Sequence, residues 1–340
     1  MSASPRSRMA VVIPVLDEAR HLPDLLADLD AQDLPASEFD VLVLDGGSTD
    51  GTLDFLEGHR PSSGYGFQVL NNPERTVPHA RNLALAHLAD DVGLLVELIG
   101  HVRVAPNHLS SRKKAWQEGL ERHGEALAGM GVRVLGPERP STVVEGWVDG
   151  ALRSSIGRGG GQFAKFSSPG PTKVPAFATH LRSAVEAVGG WDTSYATSQD
   201  SDLSMRLLGK GYVLERDPSV VVRMNRRTTL RGHWRMAVRY GFWRGRLLRS
   251  HPSRVDPREG APLFGALLCT VLMLTCPAWL VAPVGAYAVV LLGAGMFSFA
   301  DARRLTHVVG VPFCLVLLHT GFTLGLLRSL VTGPPKKRDR

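Results

Sequence analysis

The sequence predicts an α/β chain, with a doubly wound, largely parallel sheet over residues 1–225 and helices at and in a membrane after it. Three observations carry that expectation. Short apolar runs alternate with amphipathic stretches from Met9 to Val96, as in chains whose strands and helices take turns. The run Val41–Leu44 closes on Asp45-Gly46-Gly47-Ser48, an acid followed by a tight turn. From Ala261 to Ala300 no residue is charged, and Val308–Leu327 is a second apolar run. A membrane span needs about 20 such residues.

In chain order, Met9–Val15 (MAVVIPV) reads as the first strand, followed by Leu16-Asp17-Glu18. Leu22, Leu25, Leu26 and Leu29 fall at helical spacing within Arg20–Gln32, which leads to the second strand at Val41. Successive apolar residues there suit a strand covered on both faces. Such a strand delivers Asp45 to its carboxyl end, where open α/β sheets bind ligands. The alternative is an ordinary strand-to-helix turn with Ser48 or Asp50 as helix cap. A helix begins at Thr52–Glu57, a short strand spans Phe67–Leu70, and a helix over His79–Leu88 contains Ala80-Arg81-Asn82. Val92–Val96 is the next buried strand, left through Glu97-Leu98-Ile99-Gly100-His101.

Further on, Arg158-Gly159-Gly160-Gly161 reads as a loop, either covering an acceptor site or simply connecting. Ser198-Gln199-Asp200-Ser201-Asp202 precedes an amphipathic helix, placing its acids where the helix dipole favours negative charge. Nine arginines and no acid lie between Arg223 and Arg249. Of these, Arg227, Arg231, Arg235 and Arg239 form one helical stripe near Trp234, Met236, Phe242 and Trp243. That is the pattern of a helix in the membrane interface, and it assigns the net charge of +7 to lipid rather than nucleic acid. All three cysteines, Cys269, Cys276 and Cys314, lie in the apolar runs, so no disulfide or zinc pattern is present. The six-residue run VVIPVL is too short for a signal-peptide core, so the soluble part is expected in the cytoplasm.

Four motifs now stand in order: PVLDE, LDGGSTDGT, PHARNLALA and GGWDTSYATSQDSDLSMRL. Together they resemble family 2 glycosyltransferases, over roughly residues 9 to 225. RYGFWRGRLLRSHP resembles the branch that builds bacterial exopolysaccharide on polyprenyl carriers, typified by the succinoglycan glucosyltransferase, where membrane segments also follow the catalytic domain. The resemblance implies a GT-A, Rossmann-like nucleotide-diphospho-sugar transferase domain followed by interfacial and transmembrane helices. It implies that Pro14, Glu18, Asp45 and Arg81 line the donor's base and ribose pocket. It makes Asp200 the catalytic base of an inverting displacement, against a purely capping role, and Arg239-Tyr240 the end of a motif near the acceptor or pyrophosphate, with Met236 in place of a glutamine.

The metal site departs from that pattern. Where the family carries Asp-x-Asp or Asp-x-His, this chain has Ile99-Gly100-His101, so the first acid is missing. If the strand alternation ran on, Glu97, Ile99 and His101 would share a side, and Glu97 with His101 could meet one cation, Mn²⁺ or Mg²⁺. The expected organisation is a GT-A domain over 1–225, a basic amphipathic interface segment over 226–260, a membrane region of three spans over 261–331 turning near Ala282–Gly285, with a re-entrant segment as the rival, and a basic tail over 332–340. The expected protein transfers sugar from a nucleotide-sugar donor to a lipid-linked polyprenyl glycan on the cytoplasmic face of the inner membrane, in cell-surface polysaccharide synthesis. A catalytically silent nucleotide-sugar-binding partner of an assembly complex is the rival, motivated by the missing acid and Met236.

Overall fold

The computed structural model describes residues 8–157 and 165–333. The Arg158–Gly161 loop and most of the basic tail lie outside these. The first half runs β1 (Arg8–Val15), α1 (Leu22–Asp30), β2 (Phe39–Asp45), α2 (Thr52–Gly58), β3 (Gly66–Asn71), α3 (Val77–Ala86) and β4 (Val92–Glu97). Its strands pair in parallel in the order β3-β2-β1-β4. Side chains alternate along β1 and are buried on both faces. Met9, Val11 and Ile13 pack with Leu22, Leu25, Leu26 and Leu29 of α1. Ala10 and Val12 join Leu42 and Leu44 against Ala80 and Ala84 of α3. The apolar pattern was therefore a faithful guide to these layers.

The chain continues through β5 (Val102–Arg103), α4 (His108–His123), β6 (Leu127–Leu135), α5 (Val143–Arg153), β7 (Gly170–Pro171), β8 (Thr179–Leu181), α6 (Arg182–Ala187), α7 (Gln199–Gly209) and β9 (Val213–Met224). The sheet extends beyond β4 as β8-β6-β9-β5, with β7 also on β9. Here it is mixed: β8 runs antiparallel to both β4 and β6, whereas β9 is parallel to β6. Glycines mark where this half is crowded. A side chain on Gly131 would strike Pro175, and one on Gly129 would strike Leu214.

Contacts divide the chain into two units, one ending at Leu135 and resuming over Phe166–Met224, the other formed by Gly136–Lys165 and everything from Asn225. The stretch expected as a single domain over 1–225 is thus interrupted by residues 136–165. In the second unit α5 joins α8 (Leu230–Ser250), α9 (Pro257–Thr275), α10 (Val281–Ala302) and α11 (His307–Val331). Val148, Ala151 and Leu152 of α5 pack with Met236, Val311, Cys314 and Leu315, and Arg226 binds Asp149 at 2.9 Å. Thr142 caps α5 and Thr229 caps α8, each hydroxyl accepting from the N–H three residues on. Met236, which departs from the family motif, is a core residue here.

Three helices, α9, α10 with the turn before it, and α11, are long and apolar enough to cross a membrane. The turn between the first two falls at Cys276–Leu280, earlier than the expected Ala282–Gly285. Pro277 ends α9 because proline restricts the residue before it and has no N–H to donate. Pro283 instead sits in the first turn of α10, where that N–H has no partner anyway.

Candidate active site

The carboxyl ends of β1 and β2 carry two loops stitched together by side chains. Asp45, 3% exposed, accepts hydrogen bonds from Gly47 N at 2.9 Å, Ser48 N at 3.1 Å and Ser48 Oγ at 2.5 Å. Gly47 turns with φ 76°, a conformation glycine adopts without strain. Across the gap Asp17 N donates to Ser48 Oγ, and Asp17 Oδ1 accepts from Thr49 N at 2.8 Å. Glu18 N donates to Thr52 Oγ1 and Ala19 N to Asp50 Oδ2, both at 2.9 Å. Although burial acts to raise it, the Asp50 carboxyl is held below its ordinary range by hydrogen bonds from Thr52 and Ala19. Pro14 lies where β1 has passed the end of its pairing with β4, so its missing N–H breaks no ladder there.

Asp45 is accordingly the anchor of this cradle, and part of its accepting capacity is engaged by its own turn. Sequence reasoning had named Asp45, weighed Ser48 and Asp50 only as helix caps, and passed over Asp17 and Thr52. Their signal was present in LDE and GGSTDGT, in the form of short polar side chains that bond nearby backbone.

Glu97 and His101 do not act as a pair. β4 ends at Glu97, so the alternation that would have put both on one side ends with it. Glu97, 3% exposed, meets Arg81 Nη2 at 3.1 Å and His180 Nε2 at 3.4 Å. Burial alone would raise its carboxyl; the charge of Arg81, with His180 and Arg112, holds it below the ordinary range. His101 Nδ1 instead lies 2.6 Å from Glu18 Oε1, from the loop after β1. Among the described residues no three His, Cys, Asp or Glu side chains gather as a metal site. A resident centre held wholly by protein groups does not fit. The partly exposed Glu18–His101 pair fits the lesser demand of a cation that draws its remaining ligands from a diphosphate and water.

Arg81 is a buried residue rather than half of a surface ion pair. At 5% exposure it lies between Glu97 and the Trp191 ring, 5.7 Å from the ring centre. Its neighbour Asn82 donates to Trp191 O at 2.7 Å and accepts from Trp191 N at 2.8 Å. Gly190, with φ 73°, leaves room for that carboxamide. Beneath them Arg112, fully buried, donates to His108 Nε2, Phe177 O and Thr179 Oγ1. Burial lowers its pKa to about 9 despite the opposing effect of Glu97. Burial, with the Arg112 charge, also pushes His108 well below its usual value, so it accepts as a neutral ring.

Asp200 lies in the first turn of α7 after Ser198, whose φ is 68°. Its Oδ1 accepts from Ser201 N at 2.8 Å. No described residue forms an ion pair with it, and it caps no earlier residue. Asp202, two positions on, is 3% exposed and is held by Arg206 at 2.7 Å. Identical in chemistry, the two acids have different environments. In the second unit, Arg239 lies over the Tyr240 ring at 5.8 Å.

A parallel half with a polar cradle at its strand ends, continued by a mixed half bearing a helix-borne carboxylate, is the architecture of the GT-A fold. Residues 10–120 match the family described as Glycosyl transferase family 2. The chain is 27% identical over 340 residues, 94% of each chain, to the succinoglycan biosynthesis protein ExoA of Rhizobium meliloti (strain 1021). It is 22% identical, over 71% of this chain and 74% of the other, to a dolichyl N-acetyl-alpha-D-glucosaminyl phosphate 3-beta-D-2,3-diacetamido-2,3-dideoxy-beta-D-glucuronosyltransferase of Methanococcus voltae. Its fold is similar to that of the mannosyltransferase PcManGT from Pyrobaculum calidifontis in complex with GDP-Man and Mn²⁺, with TM-score 0.57, 20% identity, and coverage of 95% of this chain and 87% of that one.

Proposed function

We propose that the protein transfers a sugar from a nucleotide-sugar donor, with inversion, to a lipid-linked glycan at a membrane surface, in cell-surface polysaccharide synthesis. The observation that carries this reading is Asp200, a half-buried carboxylate at a helix start that forms no ion pair with any described residue. Asp200 takes the proton of an acceptor hydroxyl as that oxygen attacks the anomeric carbon. The bond to the leaving nucleoside diphosphate breaks as the new one forms, and its electron pair stays with the diphosphate. The cradle around Asp45, with Pro14, receives the nucleoside, while buried Arg81 supports the floor of that site through Glu97 and Trp191.

A divalent cation accompanies GDP-Man in the Pyrobaculum protein. In this chain Glu18 and His101 are the residues that would hold such an ion, which when bound would offset charge growing on the leaving diphosphate. The ExoA relative motivates the polysaccharide assignment, and the dolichyl relative the lipid-linked acceptor. Arg239 and Tyr240 are the candidates for meeting the acceptor's phosphates. The absence of an ion pair between Asp200 and any described residue favours this reading over a silent binding partner.

The test is Asp200→Asn assayed with a panel of nucleotide sugars and a polyprenyl-linked acceptor. The amide keeps the shape but cannot take the proton, so kcat should fall by about 10²–10⁴ while donor binding persists. Turnover at the parent rate would remove Asp200 from the mechanism.

A further inference from the structure

Length and composition alone would send α11 across the bilayer, but its neighbours are unsuited to that environment. Of the three apolar helices it is the most enclosed, with 39% of its apolar window buried, against 0% for α9 and 11% for the α10 stretch. α8 lies along it in the same chain direction. His233 Nε2 is 3.0 Å from Cys314 O, a side chain on Gly325 would run into the Val238 carbonyl, and Arg249 donates to Ser329 O. Gly241 and Gly245 face Phe322 and Ser329 with no room for a Cβ, so the two backbones are closely apposed. Residues 314–329 therefore run beside a helix that carries six arginines and no acid. Were α11 to cross, Arg235, Arg239 and Arg246 would sit at hydrocarbon depth, which is costly for arginine.

α5 brackets the first half of α11. Gly146 lies against His307 and Gly150 against Val311, while Ile156 O is 3.0 Å from His319 Nε2. Residues 136–165 leave the sheet after β6 and return to it before β7, and their described helix has 11 residues. Crossing and returning would need roughly 20 apolar residues each way, so α5 stays on the sheet's side. Both ends of the α9–α10 segment are tied to these same helices by ion pairs. Glu259, in the first turn of α9, meets Arg244 of α8 at 3.1 Å, and Asp301, near the end of α10, meets Arg153 of α5 at 3.0 Å.

We infer that α11 does not cross the bilayer. It lies with α5 and α8 as a layer in the membrane–water interface on the sheet's side, its partner being the lipid surface. α10 runs antiparallel along α11, with Tyr287 Oη 2.7 Å from His319 Nδ1 and Ser298 Oγ 2.8 Å from His307 Nδ1, so over residues 287–298 it shares that layer; the α9–α10 segment leaves and rejoins the same face, and the chain makes an even number of passes. Lys336, Lys337, Arg338 and Arg340 then stay on the same face as Arg303 and Arg304, as the positive-inside rule prefers and three passes would not allow. Nothing in this inference depends on the catalytic assignment of Asp200.

The test uses the full chain with a side-sensing reporter fused before Met1 or after Arg340. Both fusions should report the same side, and opposite sides would overturn the inference. A second measurement guards against misrouted fusions. In a chain whose native cysteines are serine, Gly333→Cys and Ser63→Cys should react with an impermeant maleimide from the same face of sealed vesicles. Labelling of Gly333→Cys only from the opposite face would overturn it equally, whatever the state of the enzyme's turnover.

Discussion

Replacing Arg81 with methionine retains much of the side chain's volume and removes one charge from a buried pair. Glu97, 3% exposed, would lose the guanidinium at 3.1 Å and keep only His180 at 3.4 Å and the more distant field of Arg112. Breaking a buried pair on one side costs about 3–5 kcal/mol, and the remaining positive groups argue for the lower end, about 3 kcal/mol. For a domain of this size that corresponds to a fall in melting temperature of roughly 6–12 °C. The sign with pH follows from Glu97, whose carboxyl is depressed in the folded protein. Its stabilisation is present above the carboxyl's unfolded range and is lost as pH falls through the folded value. In Arg81→Met that folded value rises, so the loss begins at higher pH. The assay is thermal unfolding of the full chain in detergent across a pH series, with Glu97→Gln and the double variant completing a cycle. The double variant should recover part of the loss, since no unpaired charge remains. An Arg81→Met protein that melts with the parent at neutral pH would refute the pairing as a structural element.

Asp45→Ala removes the acceptor of three hydrogen bonds and frees the Gly47–Ser48 turn. Donor dissociation constants should rise by about tenfold or more, at about 1.5–3 kcal/mol per hydrogen bond to a charged group, and unchanged binding of every donor would remove Asp45 from the pocket. His101→Ala should lower turnover and raise the Mn²⁺ concentration needed for half-maximal rate, with Mn²⁺ better than Mg²⁺ for an imidazole ligand. Parent-level turnover in excess EDTA would dispose of that cation. Gly190→Ala forces a side chain into left-handed backbone 2.5 Å from Asn82 Oδ1, and should cost at least about 1–2 kcal/mol in unfolding experiments, whereas Gly209→Ala, in open space, should not.

The parallel half was legible because each strand is an unbroken apolar run and each helix shows an apolar stripe. The positions of Asp45 at a strand end and Asp200 at a helix start were legible because they follow or precede such runs. What escaped depends on distance along the chain. Glu97 resembled a strand-end ligand, and its true partners come from α3 and from the three-residue β8, too short for any pattern. α4 escaped because its surface is polar, with Leu109 and Trp116 its main apolar anchors. β6 contains Gly129 and Gly131, which weaken a strand signal and here make room for neighbours. The membership of α5 with the carboxyl-terminal helices could not be read at all, since an apolar face does not name what it will cover.

Asn82 deserves a last consequence, because its carboxamide reads the backbone of Trp191 in both directions, as one strand reads another. That clasp closes a loop of more than a hundred residues of chain within the sheet unit. The position of the turn leading to Asp200 is thereby referred to α3, and not to the length of whatever intervenes. Residues 136–165 are intervening chain of this kind. Although α5 is built into the second unit, the length of residues 136–165 therefore does not set that position: the turn before Asp200 is held to α3, within the sheet unit, by one carboxamide.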